Sequence, residues 1–382
     1  MKRILAFLLA AILCLFLFAC SADTEKPQEN EKEEENNNEK EDEKVIEDKK
    51  HALNEVVDSL KLLGRNTVTS NGIICDHSAS GIEFCAYIEG EVRLSVSVSM
   101  RTTPAGAYEA NTYYTVYVDG VRQEKRFNVA SGEATLTIAN FEEGGVHTIR
   151  ILKQTESQNS LSILKSLKFK GYFEEAPAEK ELLIEFIGDS ITSGYGNLCV
   201  NGAANPGNAL NQDATQTYAY MTAEKLGADH SLVSYSGIGV AKGWPDFLME
   251  EFFPADSYCR STTDAYEKSF TPDIVVINLG TNDNTKGAVA TTFITKAKAL
   301  IKLIRDTYGE DVKIIWVSNM MGSSMQTFSA KAITALGGEA NGLYTCTLPQ
   351  EQKGGGGHPS IAGHTAAADV LVKFIQEKVL SE

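Results

Sequence analysis

Basic charge is what this sequence most lacks. Its 382 residues carry 35 Lys and Arg against 51 Asp and Glu, a formal net charge of -16. No basic cluster stands out along the chain, and a nucleic-acid partner is thereby excluded, because phosphate binding needs gathered Lys and Arg. Cysteine is sparse and unpatterned. The chain has seven, with no CxxC pair or Cys/His cluster of the kind that holds zinc. A long membrane-spanning run is missing too: the N-terminal apolar stretch, Ile4 to Ala19, falls short of the about 20 residues that a span needs.

That apolar stretch has a different logic. Lys2 and Arg3 precede it and Cys20 follows it, the charged start, apolar centre and small-residue end of a signal peptide. Leu17-Phe18-Ala19-Cys20 resembles the lipobox of bacterial lipoproteins, in which the Cys receives lipid. Residues 1–20 are therefore expected to be a lipoprotein signal, with Cys20 the lipidated residue and the protein exported and anchored to the membrane facing outward; a signal without lipidation is the alternative. Residues 21–64 begin with Glu, Lys, Asn and Asp in near-continuous order, too little apolar surface to offset chain entropy. They are expected to form a disordered acidic tether, with a short helix near 52–63. Export permits disulfides. Isolated buried thiols are the expectation, with bridges from Cys75 to Cys85 and from Cys199 to Cys259 the alternative.

Residues 65–175 change to period two. Val92, Leu94, Val96, Val98 and Met100 alternate with polar residues, Tyr114, Val116 and Val118 do so again, and Leu136 with Ile138, Ile149 with Ile151, and Leu167 with Phe169 continue. Turn signals such as Asp119-Gly120 divide them, and no segment of helical period intervenes. This predicts an antiparallel β-sandwich, of jelly-roll type.

After the polar linker around Glu174–Glu179, residues 180–382 alternate strands with helices. Strands are predicted at Leu182–Ile187, Leu232–Tyr235, Ile274–Leu279, Ile314–Val317 and Leu343–Leu348, and helices at Thr217–Leu226, Val289–Tyr308 and Ile361–Val379. Continuous apolar strands between helices mean a parallel sheet covered on both faces, an α/β fold with its site beyond the carboxyl ends of the strands.

Four segments fall on that rim. Gly188-Asp189-Ser190-Ile191-Thr192 places a Ser at a strand-to-helix turn, where helix N-terminal amides converge; alone, such a Ser is as readily an N-cap. Ser236-Gly237-Ile238-Gly239 frees backbone amides to approach a ligand. Asn278-Leu279-Gly280-Thr281-Asn282-Asp283 brings a side-chain amide, and Gly354-Gly355-Gly356-Gly357-His358-Pro359 brings an imidazole. In this order, they resemble the blocks of the SGNH/GDSL hydrolases, over about Leu182–Leu380. The sandwich-then-hydrolase order, with Glu185-Phe186-Ile187-Gly188-Asp189-Ser190-Ile191-Thr192-Ser193-Gly194-Tyr195-Gly196, is similar to carbohydrate esterase family 2, two-domain deacetylases of xylan and glucomannan.

The resemblance implies a flavodoxin-like parallel sheet and a serine esterase without metal or organic cofactor. Ser190 would be the nucleophile and His358 its base, with the oxyanion held by the amides of Ser190 and Gly237 and the side chain of Asn282. Gly239 is the alternative glycine. The substrate would be an acetylated polysaccharide or oligosaccharide, and Trp244 a candidate for stacking on a sugar ring, a buried core role being the alternative. One departure stands out. Related enzymes place an Asp two or three residues before the His, where this chain has Gly355 and Gly356. A Ser–His dyad oriented by a backbone carbonyl, a carboxylate from elsewhere such as Glu351, and a decayed site that only binds glycan are the readings this leaves open. A lipase or thioesterase of the same superfamily remains the alternative activity.

Overall fold

Period-two burial builds the first half of the protein. Val92, Leu94, Val96 and Val98 are buried while their neighbours face outward, so one face of the strand Gly81–Met100 enters a core that Ile149, Ile151, Leu167 and Phe169 share. The computed structural model describes residues 45–100, 102–103, 106–107, 111–255, 268–322 and 325–381. The signal segment with Cys20, most of the acidic tether, and Cys259 lie outside the described residues.

Three long strands, Gly81–Met100, Gly132–Lys153 and Ser160–Phe173, carry the antiparallel sheet. Shorter ones complete its order: Phe127–Val129, Thr112–Val118, Gly132–Lys153, Gly81–Met100, Ser160–Phe173, Gly72–Ile74 and Thr67–Thr69. Register shifts between Thr137 and Ala139, Phe141 and Gly145, Leu164 and Ser166, and Lys168 and Lys170 interrupt the long ladders, as bulges that bend and twist strands do. Asp119-Gly120 is the expected two-residue turn, both residues at positive φ, joining Thr112–Val118 to Val121–Arg122.

One expectation is corrected. The short helix near 52–63 is instead a strand Glu47–Ala52, one 3-10 turn at Val57–Ser59 and a strand Leu60–Leu63. The first strand pairs with Ser166–Gly171 and the second with Gly81–Phe84. Tertiary pairing overrides local helical preference here, and the ordered sheet starts within the stretch expected to be tether. The cysteines follow the expected default: Cys75 and Cys85 are free thiols rather than a bridge, as are Cys199 and Cys346. Alternation explains it. Phe84 and Ala86 face the core, so Cys85 points to the other side, while Cys75 is buried in the core, where burial pushes its thiol up to about 12.

The second half is a five-stranded parallel sheet. Its order is Asp229–Ser234, Leu183–Gly188, Ile274–Asn278, Lys313–Ser318, Leu343–Thr347. Both faces are covered, so Ile274–Asn278 is buried at every residue, as strands between helical layers must be. Tyr218–Leu226 and Ile361–Phe374 pack against each other, while Ala290–Tyr308 is joined by Gln326–Ala335. The last of these was not anticipated, because only Ser329, Ala332 and Ile333 of its ten residues are buried. The chain reverses direction of winding between Leu183–Gly188 and Ile274–Asn278, the switch point at which open α/β sheets hold ligands.

Residues Lys44–Glu382 form one compact unit, and polar side chains join its two halves. Arg65, 1% exposed, reaches Glu185 on the first parallel strand with Nε at 3.1 Å and Nη2 at 3.0 Å, while Tyr308 Oη at 2.8 Å and Ser231 Oγ at 2.9 Å complete the carboxylate. Lys61 pairs with Asp229 at 2.7 Å. A third junction, the connection between Lys153 and Ser160, is wholly polar and buried along its length.

Candidate active site

The strand Leu183–Gly188 delivers Ser190 to the switch point. Asp189 caps the four-residue helix Ser190–Ser193, its Oδ1 accepting from Ile191 N at 3.0 Å, and Ser190 is left 7% exposed at the helix start. Ser193 Oγ donates to Ser234 Oγ at 2.9 Å, tying this turn to the neighbouring strand.

His358 arrives from the opposite end of the domain. Its Nε2 lies 2.7 Å from Ser190 Oγ. With the hydroxyl donating, the imidazole proton sits on Nδ1. Burial holds the imidazole down at about 4, opposed by the carbonyls of Gly355 and Gly356, so the ring is neutral, a base, through the mild acid range. Nδ1 is buried and makes no side-chain or backbone hydrogen bond of good geometry. Instead, the ring of Tyr195 packs on the imidazole, centroids 4.5 Å apart at 38°.

The glycine run before His358 is closely fitted. Gly355 N donates to Gly196 O at 2.8 Å, and a Cβ on Gly355 would come within 2.4 Å of Cys199 Sγ and 2.6 Å of Pro206 Cβ. Gly356 has φ +63°, which glycine adopts freely. Glu351 does not reach His358. Its carboxylate accepts from Ser360 N at 2.7 Å, Ser360 Oγ at 3.2 Å and Lys353 N at 3.2 Å, closing the loop that carries the histidine. His364, buried, takes the Tyr218 amide on Nδ1 at 3.1 Å.

Asn282 sits at the start of Thr281–Thr285, just past the strand Ile274–Asn278. Its Nδ2 donates to Asp189 Oδ2 at 3.1 Å and to Ile238 O at 2.9 Å, linking the Ser190 turn to the glycine loop. Burial pushes the Asp189 carboxyl up to about 7, with Asp283 and Glu156 adding and the Ile191 amide opposing. Asp283, also raised by burial, accepts from Val240 N, Ala241 N and Lys242 N at 2.9, 2.6 and 2.9 Å. Within the loop, Gly237 has φ +85° and its carbonyl accepts from Trp244 N at 2.8 Å. Gly239 lies against Lys242, whose carbonyl oxygen is 1.8 Å from where a Cβ would be. Trp244 is 65% exposed, so its buried alternative does not hold, and Lys286 Nζ stands 3.4 Å over its ring.

The four sequence blocks thus meet at one rim. Sequence reading missed Tyr195, the roles of Asp189 and Asp283, and Glu156 from the antiparallel half, whose carboxylate accepts from Ser236 N and Oγ, each at 2.9 Å. Among the described residues, no group of three or more His, Cys, Asp or Glu is placed to hold a metal.

A hydroxyl, an imidazole and a rim of amides at a parallel-sheet switch point define a class: residues 186–366 match the GDSL-like lipase/acylhydrolase family. Residues 63–177 match the carbohydrate esterase 2 N-terminal family. The chain thus pairs a GDSL-like lipase/acylhydrolase domain with a carbohydrate esterase 2 N-terminal domain. Among curated proteins, it is 29% identical over 327 residues to the cellulase/esterase CelE of Acetivibrio thermocellus, covering 81% of this chain but only 38% of that protein. It is 24% identical over 262 residues to an acetylxylan esterase/glucomannan deacetylase of Cellvibrio japonicus, covering 61% of this chain and 70% of the relative. Among solved structures, a family two carbohydrate esterase from Clostridium thermocellum in complex with cellohexaose superposes with TM-score 0.75 at 26% identity, over 84% of this chain and 99% of that one.

Proposed function

We propose that the protein is an exported serine esterase that removes O-acetyl groups from a polysaccharide of the xylan or glucomannan kind. The 2.7 Å contact between Ser190 Oγ and His358 Nε2 carries this reading. Ser190 Oγ attacks the acetyl carbonyl and its proton passes to His358 Nε2. The oxyanion is held by the amides of Ser190 and Gly237 and by Asn282 Nδ2, which gives up one of its resting bonds to Asp189 or Ile238 as the charge develops. Collapse expels the sugar hydroxyl, which takes the proton from His358, and water then releases acetate from the acyl-enzyme by the same route. Among the described residues no carboxylate bonds the imidazole Nδ1: the close-packed glycine loop and Tyr195 orient it, which supports a dyad over a decayed site.

The substrate class rests on the N-terminal domain and on the activity for which the relatives are named, the acetylxylan esterase/glucomannan deacetylase above all. Trp244, exposed beside the Gly237 loop, supplies a flat face for a sugar ring. Export and lipid attachment at Cys20 rest on the signal-like segment before it; incorporation of labelled fatty acid, abolished by Cys20→Ser, is the check on that part. The activity itself is tested by acetate release. Purified protein should release acetate from acetylated xylan or glucomannan and prefer acetyl over long-chain nitrophenyl esters. Long-chain preference would instead establish a lipase or thioesterase, and glycan binding without hydrolysis a binding protein.

A further inference from the structure

The antiparallel half places a carboxylate inside the hydrolase half, directly behind the glycine loop. Glu156 belongs to the connection between Gly132–Lys153 and Ser160–Phe173 and is 0% exposed. Its two oxygens accept from Ser236 N at 2.9 Å, Ser236 Oγ at 2.9 Å and Gln212 Nε2 at 3.2 Å. A carboxylate so enclosed is tolerated only when its bonds are met; Ser236 supplies two of them, and the side chains of Gln212 and Gln158 add others.

Ser236 is the hinge of the loop that follows. Ile238 N donates to Tyr235 O at 3.2 Å, closing a four-residue turn whose third residue, Gly237, has φ +85°. Positive φ at that position marks a type II turn, and exchange with type I reverses the peptide between the two central residues. That peptide carries the Gly237 N–H. Downstream, the loop is held by the hydrolase half itself, through Asn282 on Ile238 O and Asp283 on the amides of Val240 to Lys242. Upstream, its side-chain anchor is Glu156, which grips Ser236 by both backbone and hydroxyl.

We propose that Glu156 is a positioning residue of the esterase: it locks the Ser236–Gly237 peptide in the orientation that presents the Gly237 amide to the oxyanion. This rests on the reading of Gly237 as an oxyanion donor. The antiparallel half is then part of the catalytic apparatus, since the hydrolase half alone lacks one anchor of its oxyanion hole.

The test compares the full chain with Glu156→Ala, Glu156→Gln and Ser236→Ala, measuring kcat and KM for 4-nitrophenyl acetate, inhibition by methylboronic acid and thermal midpoint. The boronate forms a tetrahedral anion on the nucleophile and reports the oxyanion hole directly. Glu156→Ala should lower kcat about 10²-fold, as loss of an oxyanion donor does, weaken boronate inhibition in proportion and leave KM nearly unchanged. Glu156→Gln, which keeps an acceptor without the charge, should fall between it and wild type, with a near-native midpoint; Ser236→Ala should fall there too. If Glu156→Ala does not fold, those two variants carry the comparison. Wild-type kcat in both of them, or a fall in kcat with boronate affinity unchanged, would overturn the proposal. Absence of Ser190-dependent turnover in the wild type would overturn the esterase reading itself, and is recognisable as that separate result.

Discussion

At the scale of single residues, the proposed mechanism relies on neutral groups placed where charge will develop. His358 is the clearest case. Its imidazole is held near 4 by burial, below its ordinary 6.5, so the basic form survives acidification that would protonate an exposed histidine. The acid limb of kcat/KM should therefore lie nearer pH 4 than 6.5, a shift that a pH–rate profile reads directly. Asp189 adds a second inflection. Its carboxyl, raised to about 7, changes charge where it accepts from Asn282, so activity should step weakly near neutrality and lose that step in Asp189→Asn. Asn282→Ala should lower kcat by about 10²–10³ with little change in KM, the signature of a group that acts in the transition state. Trp244→Ala should differ in kind: KM for acetylated polysaccharide rises severalfold while turnover of 4-nitrophenyl acetate, which has no sugar to stack, stays as it was.

At the scale of elements, periodicity exposed much and tertiary contact hid the rest. The strands of the parallel sheet could be read because both faces are buried, and Thr217 and Gly227 bound their helix as cap and left-handed stop. Ser190 and His358 could be read because one lies just past a strand and the other just before a helix, each in a glycine-bearing block. Leu60–Leu63 could not, since its strand character comes from pairing with Gly81–Phe84 eighteen residues or more away in sequence. Glu156 was hidden for the same reason: in sequence it is an ordinary acid between Thr155 and Ser157, and only the fold shows the residue it holds. The glycine run before His358 invited the reading of a lesion. Packed against Cys199, Pro206 and Gly196, it is a close contact that any side chain at Gly355 would break, and Gly355→Ala should displace His358 and depress kcat more than it depresses stability.

At the scale of the whole molecule, the two halves are joined by buried polar residues as well as by an apolar cluster in which Leu63, Ala79, Tyr117 and Leu152 pack with Ile184, Phe186 and Tyr218. Arg65 and Glu185 carry the clearest such junction, with Tyr308 and Ser231 completing the carboxylate. Breaking a buried pair by removing one partner typically costs about 3–5 kcal/mol, so Arg65→Ala should unfold at markedly lower denaturant, while Arg65→Ala with Glu185→Gln should recover part of the loss. The same dependence makes the antiparallel half more than a spacer: it supplies the base of the hydrolase sheet with one anchor and the glycine loop with another. The central proposal is that Ser190 and His358, with no carboxylate as a third member, make this chain an acetyl esterase. Steady-state hydrolysis of 4-nitrophenyl acetate by the full chain, beside Ser190→Ala and His358→Ala, tests it most directly. Turnover that disappears in both variants is the expected result; turnover that persists in either, or a folded wild type with none, would contradict it.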